Sequence, residues 1–476
     1  MKLLAAAFPF VPAELNIAHF ASTYVPSDVQ CRLLNAVGSE AKLVSATDYH
    51  SIQASKDGKT RDMQTCEQHH LVYLKLFDRM HISFDSYITT ELPLHKENTL
   101  RTFQGLRDIG AVYLADDEDT VCVSCGCSLP YRYRNYDGRE VCPYCTTGKF
   151  HKVNRKHWFM RLNRPTGLLH DFAQTIKQKD VQNMVFHFAE SQLDDWDITR
   201  YNLLGIPVPD EEGQSFYIWY DSLVGYNTLA KILNAEPTHL INFIGKNIVY
   251  YHSVPWCIIS KFLFGEDMMI EISARGFLDF QKTDSSMIGI MELSERFHPD
   301  FIRFYLSFKV RDNMSDYFFT EKEFKDTIKY QCCKRLGGLF YNIWELICKR
   351  GVVYSSYSEI DVSESEQFIA DVMQSIDSNR INEALKKILN HAVCLKKWLH
   401  SISNCLSTSP KTAGLILYES ALLQCLLSAY MPEISTRYSV FDSWNPQTVL
   451  EANSIDSNPY KLTLCICQDS PGKQNQ

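Results

Sequence analysis

Two Cys-x-x-Cys pairs constrain this chain most. Cys122-Val-Ser-Cys125 is followed, after sixteen intervening residues, by Cys142-Pro-Tyr-Cys145. Four thiolates in two close pairs suit one tetrahedral zinc ion, which takes soft ligands at short reach. Gly126 and Asp137-Gly138 stand where such a knuckle needs sharp bends. The residues between the pairs have no apolar periodicity, so the metal takes the place of a local core. Cys127 is a spare thiol beside the first pair. With four thiolates and no open position the site reads as structural, not catalytic.

The remaining cysteines do not form a disulfide framework. Sixteen are present, and Cys31, Cys66, Cys257, Cys332, Cys333, Cys348 and Cys394 are scattered. Together with zinc thiolates, this usage predicts a reducing, cytoplasmic compartment. No stretch of about 18 apolar residues occurs, so no membrane-spanning helix and no membrane partner is expected. The apolar start Leu3-Leu4-Ala5-Ala6-Ala7 is broken by Pro9, Pro12 and Glu14 and reads as a buried first strand. A net charge of -8 gives no global basic footprint for nucleic acid.

Along 476 residues, two to four domains are expected. Leu3–Ala7 reads as a strand, Ala18–Ala36 as a helix and Lys42–Ala46 as the next strand, the opening of a parallel α/β sheet. The cysteine knuckle interrupts this pattern. A second α/β half begins near Ser215, with strands at His239–Ile244 and Met268–Ser273. Beyond Glu321, apolar residues recur at helical spacing: Leu336, Leu339, Phe340, Ile343, Leu346 and Ile347, then Phe368, Ile369, Val372, Met373 and Ile376, then Ile381, Leu385, Ile388, Leu389, Ala392, Leu395 and Leu399. These are core faces of an α-helical bundle. The polar stretch 453–476 reads as a loosely held tail.

Five segments in order, with a zinc knuckle between sheet halves, resemble the methionyl-tRNA synthetase family of class I aminoacyl-tRNA synthetases. They are Phe8-Pro-Phe-Val-Pro-Ala-Glu-Leu-Asn-Ile-Ala-His19, Trp196-Asp-Ile-Thr-Arg200, Phe216-Tyr-Ile-Trp-Tyr-Asp-Ser-Leu-Val-Gly-Tyr226, Phe243-Ile-Gly-Lys-Asn-Ile-Val-Tyr-Tyr-His252 and Phe297-His-Pro-Asp-Phe-Ile-Arg-Phe-Tyr305. The resemblance implies an α/β fold: a Rossmann-like parallel-sheet catalytic domain in two halves (1–94 and 216–290) around a connective insertion (95–215) with the zinc knuckle at 119–150. A stem-contact-like linker (291–330), a helical bundle resembling an anticodon-binding domain (331–440) and a tail (441–476) would follow.

The resemblance also assigns residues. Asp48 pairs with a substrate ammonium, a charge-assisted bond of about 1.5–3 kcal/mol. Phe8, Phe10, Trp219, Tyr226, Ile248 and His252 line the side-chain pocket, where aromatic walls suit a thioether. Phe8 and Phe10 replace the family's Leu and Tyr and make the pocket more aromatic. Asn16, His19, Lys282 and Ser285 are the catalytic candidates, and Ala18, Gly245, Asn247 and Lys282 face ATP.

Here the chain departs from its relatives. Asn16-Ile17-Ala18-His19 stands for His-Ile/Leu-Gly-His, and Lys282-Thr283-Asp284-Ser285-Ser286 for Lys-Met-Ser-Lys-Ser. Asn247 stands for a ribose-binding Asp. Losing one preorganised donor to developing charge costs about 10²–10³ in rate. In the bundle, Gly338 and Asn342 fall at the Asn and Arg that read the anticodon, while Lys397-Trp398 stands where a Pro-Trp pair is usual.

The implied activity is ATP-dependent adenylation, with Mg2+, of methionine or a similar amino acid, then transfer to a tRNA or a small-molecule acceptor. Some relatives serve small-molecule pathways with a partner enzyme, which here would be a separate chain. A non-catalytic amino-acid-binding paralogue and an ordinary methionine-tRNA ligase with tolerated substitutions remain as alternatives.

Overall fold

The computed structural model describes residues 1–11, 13–52, 63–124, 126, 128, 150–162, 166–201, 203–265, 267–280, 289–343, 345, 355, 359–402 and 409–437. The chain forms two compact units. One comprises Met1–Leu15, Lys42–Lys75 and Phe84–Ala274, and the other Asn16–Ala41, Leu76–Ser83 and Arg275–Gln476.

The first unit is built on a five-stranded sheet. Its strand order is Met269–Arg275, His239–Gly245, Lys2–Ala6, Ala41–Thr47, Ser86–Thr89. Lys2–Ala6 runs parallel to His239–Gly245, and Ala41–Thr47 runs parallel to Ser86–Thr89. Leu3, Leu4, Ala5 and Ala6 are fully buried, as are Leu43, Val44, Ala46, Phe243 and Ile244. Such largely apolar runs, broken only by buried Ser45 and Asn242, suit parallel strands covered on both faces. The expected strands are therefore present, with ends shifted by one or two residues. Ser86–Thr89, with four half-buried residues, carries no such apolar run and was not expected.

Helices Pro93–Asp108, Ile218–Ile232 and Val249–Phe264 belong to this unit. A long antiparallel hairpin pairs Val112–Cys122 with Phe150–Met160, from Val112 opposite Met160 to Cys122 opposite Phe150. Trp196–Asp197 adds a third strand at its base. The hairpin has an apolar core at its base, where Val112, Trp158 and Met160 are buried.

The first strand is central to the sheet, and its two neighbours come from opposite ends of the unit's sequence. In open α/β sheets, ligands bind outside the carboxyl ends of the strands where the order reverses. Two loops leave that edge, Ala7–Val11 and Asp48–His50. They are pinned together, since Val11 N–H donates to Asp48 O at 2.9 Å and Asp48 N–H to Pro9 O at 2.8 Å.

The second unit is mostly helical. Residues 17–36 are helical throughout, with a π-helical stretch Phe20–Tyr24 between Ile17–His19 and Val25–Ala36. Helices Pro299–Lys309, Ser363–Asp377, Ile381–Ile402 and Pro410–Ser428 follow. The stripe Ile381, Leu385, Ile388, Leu389, Ala392, Leu395 and Leu399 is buried along its whole length. That is the outcome expected for a helix with one apolar face. Among the described residues, no helix is long and apolar enough to cross a membrane.

Candidate active site

A cavity opens at the carboxyl edge of the sheet in the first unit. It is lined by Ala7, Phe8, Phe10, Asp48 and, from the helix Ile218–Ile232, Ile218, Trp219, Ser222, Leu223 and Tyr226, with His252 from the helix Val249–Phe264. It encloses about 340 Å³ including its mouth. Its enclosed interior is about 20 Å³, so the side chains close most of the space between them.

Six of the seven residues assigned to the substrate pocket line this one cavity: Phe8, Phe10, Asp48, Trp219, Tyr226 and His252. Ile248 is half-buried and meets the site through its carbonyl, to which His252 Nδ1 donates at 3.1 Å. The Tyr226 hydroxyl is 2.9 Å from His252 Nε2. Burial pushes His252 down to about 4, so its ring is neutral. Phe8 packs edge-on against Tyr226, with ring centroids 5.0 Å apart. Trp219 stacks on Tyr251 at 4.9 Å, which fixes the plane of its indole. Phe10 is 46% exposed and stands at the mouth.

The polar end is Asp48, 3% exposed. Ser222 Oγ donates to its Oδ2 and His50 N–H to its Oδ1, both at 2.8 Å. Burial, then the charge of Asp221, pushes the Asp48 carboxyl up to about 7. Behind it, His50 Nδ1 meets Asp221 Oδ2, and His50 Nε2 lies 2.9 Å from Glu91 Oε1. Burial alone would lower His50, but Asp221 and Glu91 override it and raise the ring to about 10. Glu91 is held at about 2, chiefly by its bond to His50.

Sequence reasoning missed His50, Glu91, Asp221 and Ser222 as site residues. Their signal was present, because His50 sits two residues after Asp48, and Asp221-Ser222 follows Trp219 inside a quoted segment. Nothing local, however, links positions 50, 91 and 221.

The residues assigned to ATP lie apart in sequence, and each has its own local setting. In the first unit, Gly245 ends its strand and Asn247 is exposed in the short helical turn Lys246–Ile248. In the second unit, Asn16 caps a helix. Its Oδ1 accepts from Ala18 N at 3.0 Å and His19 N at 3.4 Å, while its own N–H donates to His19 Nδ1 at 3.1 Å. His19 Nδ1 is therefore an acceptor, and its proton sits on Nε2. Burial lowers the pKa of this ring. Lys282 and Ser285 lie outside the described residues, as do Cys125, Cys142 and Cys145. Cys122 is described: it is buried at the end of its strand, and its carbonyl accepts from Gly126 N–H at 2.8 Å. Gly126 has φ +68°, a left-handed turn that glycine adopts without strain. In the helical region Gly338, Asn342 and Trp398 are half-buried and Lys397 is exposed.

The family model of class I tRNA synthetases (M) matches residues 2–154 and 147–344. The methionine–tRNA ligase of Methanococcus vannielii is 26% identical over 349 residues, covering 64% of this chain and 52% of that protein. The methionine–tRNA ligase of Methanocaldococcus jannaschii is 24% identical over 495 residues, covering 91% of this chain and 74% of that protein. The match thus spans about half the length of the Methanococcus relatives. Among solved structures, Mycobacterium tuberculosis methionyl-tRNA synthetase bound by methionyl-adenylate matches with a TM-score of 0.76 at 18% identity, covering 92% of each chain. The chain is a divergent member of the class I methionyl-tRNA synthetase family.

Proposed function

We propose that this protein binds methionine or an amino acid of similar size and activates it with ATP and Mg2+ as an aminoacyl-adenylate. The aminoacyl group then passes to a tRNA or a small-molecule acceptor. One observation carries the reading: a single cavity joins a buried carboxylate, Asp48, to a wall of Phe8, Trp219 and Tyr226. The carboxylate suits an ammonium group, and the aromatic wall suits an uncharged side chain with a polarisable sulfur. Asn16, His19, Lys282 and Ser285 would act at the phosphates, and Gly245, Asn247 and Ala18 would meet the rest of the nucleotide. The insertion 95–215 would carry a structural zinc on Cys122, Cys125, Cys142 and Cys145. The glycine turn after Cys122 suits that role, and the ion would supply cross-linking of the knuckle.

A second reading is a non-catalytic amino-acid-binding paralogue. It is favoured by the nucleotide-side substitutions, because Ala18 adds a methyl group where the family has glycine and Asn247 lacks the carboxylate of its relatives. ATP–pyrophosphate exchange with a panel of amino acids separates the two. Exchange with methionine or a close analogue supports the ligase. Amino-acid binding without exchange supports the paralogue.

A further inference from the structure

The ring of His50 has an unusual setting. It is completely buried, and both of its nitrogens face carboxylate oxygens, Asp221 on one side and Glu91 on the other. Ionised carboxylates only accept hydrogen bonds. A neutral imidazole would therefore press one bare lone pair against an anion, so both nitrogens carry protons. The backbone N–H of the same residue donates to Asp48 Oδ1. His50 thus touches Asp48 through its main chain and balances the nearby charge through its ring. A divalent cation on Asp48, His50 and Asp221 would need a lone pair from a ring whose two nitrogens are already engaged.

The charges facing this cluster come from three elements. The loop after Ala41–Thr47 contributes Asp48 and His50, and the helix Ile218–Ile232 contributes Asp221. Glu91 and Lys96 come from the start of Pro93–Asp108 and the turn before it, with Lys96 paired to Glu91. His95 is held neutral by burial, at about 4, and burial raises Tyr220, so neither adds charge. Three carboxylates then face two cations, which leaves one negative charge for a ligand's ammonium group.

We propose that His50 is a positioning residue, held as an imidazolium between Asp221 and Glu91, which aims Asp48 and keeps it ionisable, so that capture of an amino acid's ammonium group displaces the proton from Asp48. This rests on the reading of Asp48 as the ammonium partner. The balance is simple. The Asp48 O–H bond breaks, its proton leaves to solvent, and a charge-assisted N–H···O bond to the ligand takes its place. An Asp48 carboxyl near 7, lowered by His50 against burial and Asp221, gives the exchange its working range. Below pH 7 the carboxyl is protonated before binding, and the ligand must expel that proton. Affinity should then fall toward about tenfold per pH unit.

The test is calorimetric titration of the full chain with L-methionine and L-norleucine between pH 5.5 and 8, in two buffers of different ionisation enthalpy. The unmodified protein should release about half a proton per ligand at pH 7, rising toward one as the pH falls. In His50→Gln, Asp48 loses its cationic neighbour. The inflection should move to higher pH, and affinity at pH 7 should fall about fivefold or more, as for a shift of one unit or more. Wild-type affinity and an unchanged pH profile in His50→Gln would overturn the proposal. Because that variant removes a buried charge, NMR of the unmodified protein gives a second reading. The His50 ring nitrogens should show a doubly protonated imidazole at pH 7.5, and a neutral ring there overturns the proposal. Failure of the unmodified protein to bind any amino acid at any pH would instead sink the functional reading, and would do so even with His50 found protonated.

Discussion

The Tyr226 hydroxyl donates its proton to His252. His252 Nδ1 lies 3.1 Å from the Ile248 carbonyl, which can only accept, so that nitrogen carries the ring proton. Nε2 is then bare, and the Tyr226 hydroxyl, 2.9 Å away, must be the donor. The proton of the Tyr226 hydroxyl is therefore committed to His252 and is not offered to the cavity.

Tyr226→Phe should cost about 1–3 kcal/mol of stability, because it leaves His252 Nε2 buried without a partner. Urea denaturation at pH 7 measures this. Amino-acid affinity should change little, since the lost proton was never offered to the ligand. A variant as stable as the parent that binds its ligand much more weakly would mean the hydroxyl points into the cavity.

Gly225 sets the position of Phe8. A Cβ on Gly225 would stand 2.5 Å from Phe8 Cε2. Gly225→Ala should push the Phe8 ring into the cavity and weaken amino-acid binding by about tenfold or more, since overpacking typically costs about 1–3 kcal/mol. Phe8→Leu in the same chain should restore affinity, because the shorter side chain clears the new methyl group. If the double variant binds no better than Gly225→Ala alone, the ring is not what the glycine accommodates.

The central strands were legible because Leu3–Ala6 is apolar throughout and Leu240–Ile244 is apolar but for Asn242, whose amide oxygen accepts from Trp256 Nε1 at 3.1 Å, a pattern that suits a doubly covered strand. The helical stripes were legible for the same kind of reason, and Ile381 to Leu399 is buried at every apolar position named. Ser86–Thr89 was not, because a short half-buried edge strand has no periodicity to read. In the cavity, the aromatic wall was assigned from the quoted segments, and Asp48 only through the family resemblance that those segments carry. No local pattern separates Trp219 or Tyr226 from an ordinary core residue. The carboxylates behind Asp48 escaped notice because Asp221 and Glu91 reach His50 only through the fold.

A second buried pair lies in the other unit. Arg303 Nη2 is 2.6 Å from Asp28 Oδ2, and both residues are almost wholly buried. The guanidinium also donates to the carbonyls of Ala429, Met80 and His81, and Ser83 N–H donates to Asp28. Asp28→Asn should cost about 3–5 kcal/mol, because the arginine is left buried without its counter-charge. Asp28→Leu combined with Arg303→Met should recover much of that loss, as apolar replacement of buried pairs often does. Thermal and urea unfolding of the three variants measure the effect. A single variant within about 0.5 kcal/mol of the parent would mean water or the surrounding carbonyls satisfy the guanidinium.

The zinc can be tested at the hairpin. Elemental analysis should give about one zinc per chain, and Cys122→Ser should lower it. Removing the ion with a chelator should raise hydrogen exchange at the Cys122–Phe150 end of the hairpin and leave the Val112–Met160 end protected, because only the latter has buried Trp158 and Met160 to hold it. Metal-free protein with full protection at both ends would contradict the assignment.

The last expectation concerns an RNA partner. By the resemblance, Gly338 would stand where the family places a base-reading side chain, and glycine has none. Lys396 takes up the space instead: its Nζ lies 3.0 Å from the position a Cβ on Gly338 would occupy, and it donates to the Lys334 carbonyl at 3.3 Å. Lys334 and Lys397 are exposed nearby in sequence. Ammonium groups attract phosphate without reading bases, whereas Asn342 in place of an arginine cannot make a bidentate contact. This surface should therefore bind tRNA by charge. Methionine tRNA and an anticodon-swapped version, compared at matched salt, should differ by less than about a hundredfold, or ~2.7 kcal/mol. Lys396→Ala should weaken both by the same factor and reduce the salt dependence by about one ion. A larger preference for the methionine anticodon, or a loss confined to it in Lys396→Ala, would show that this face reads sequence after all.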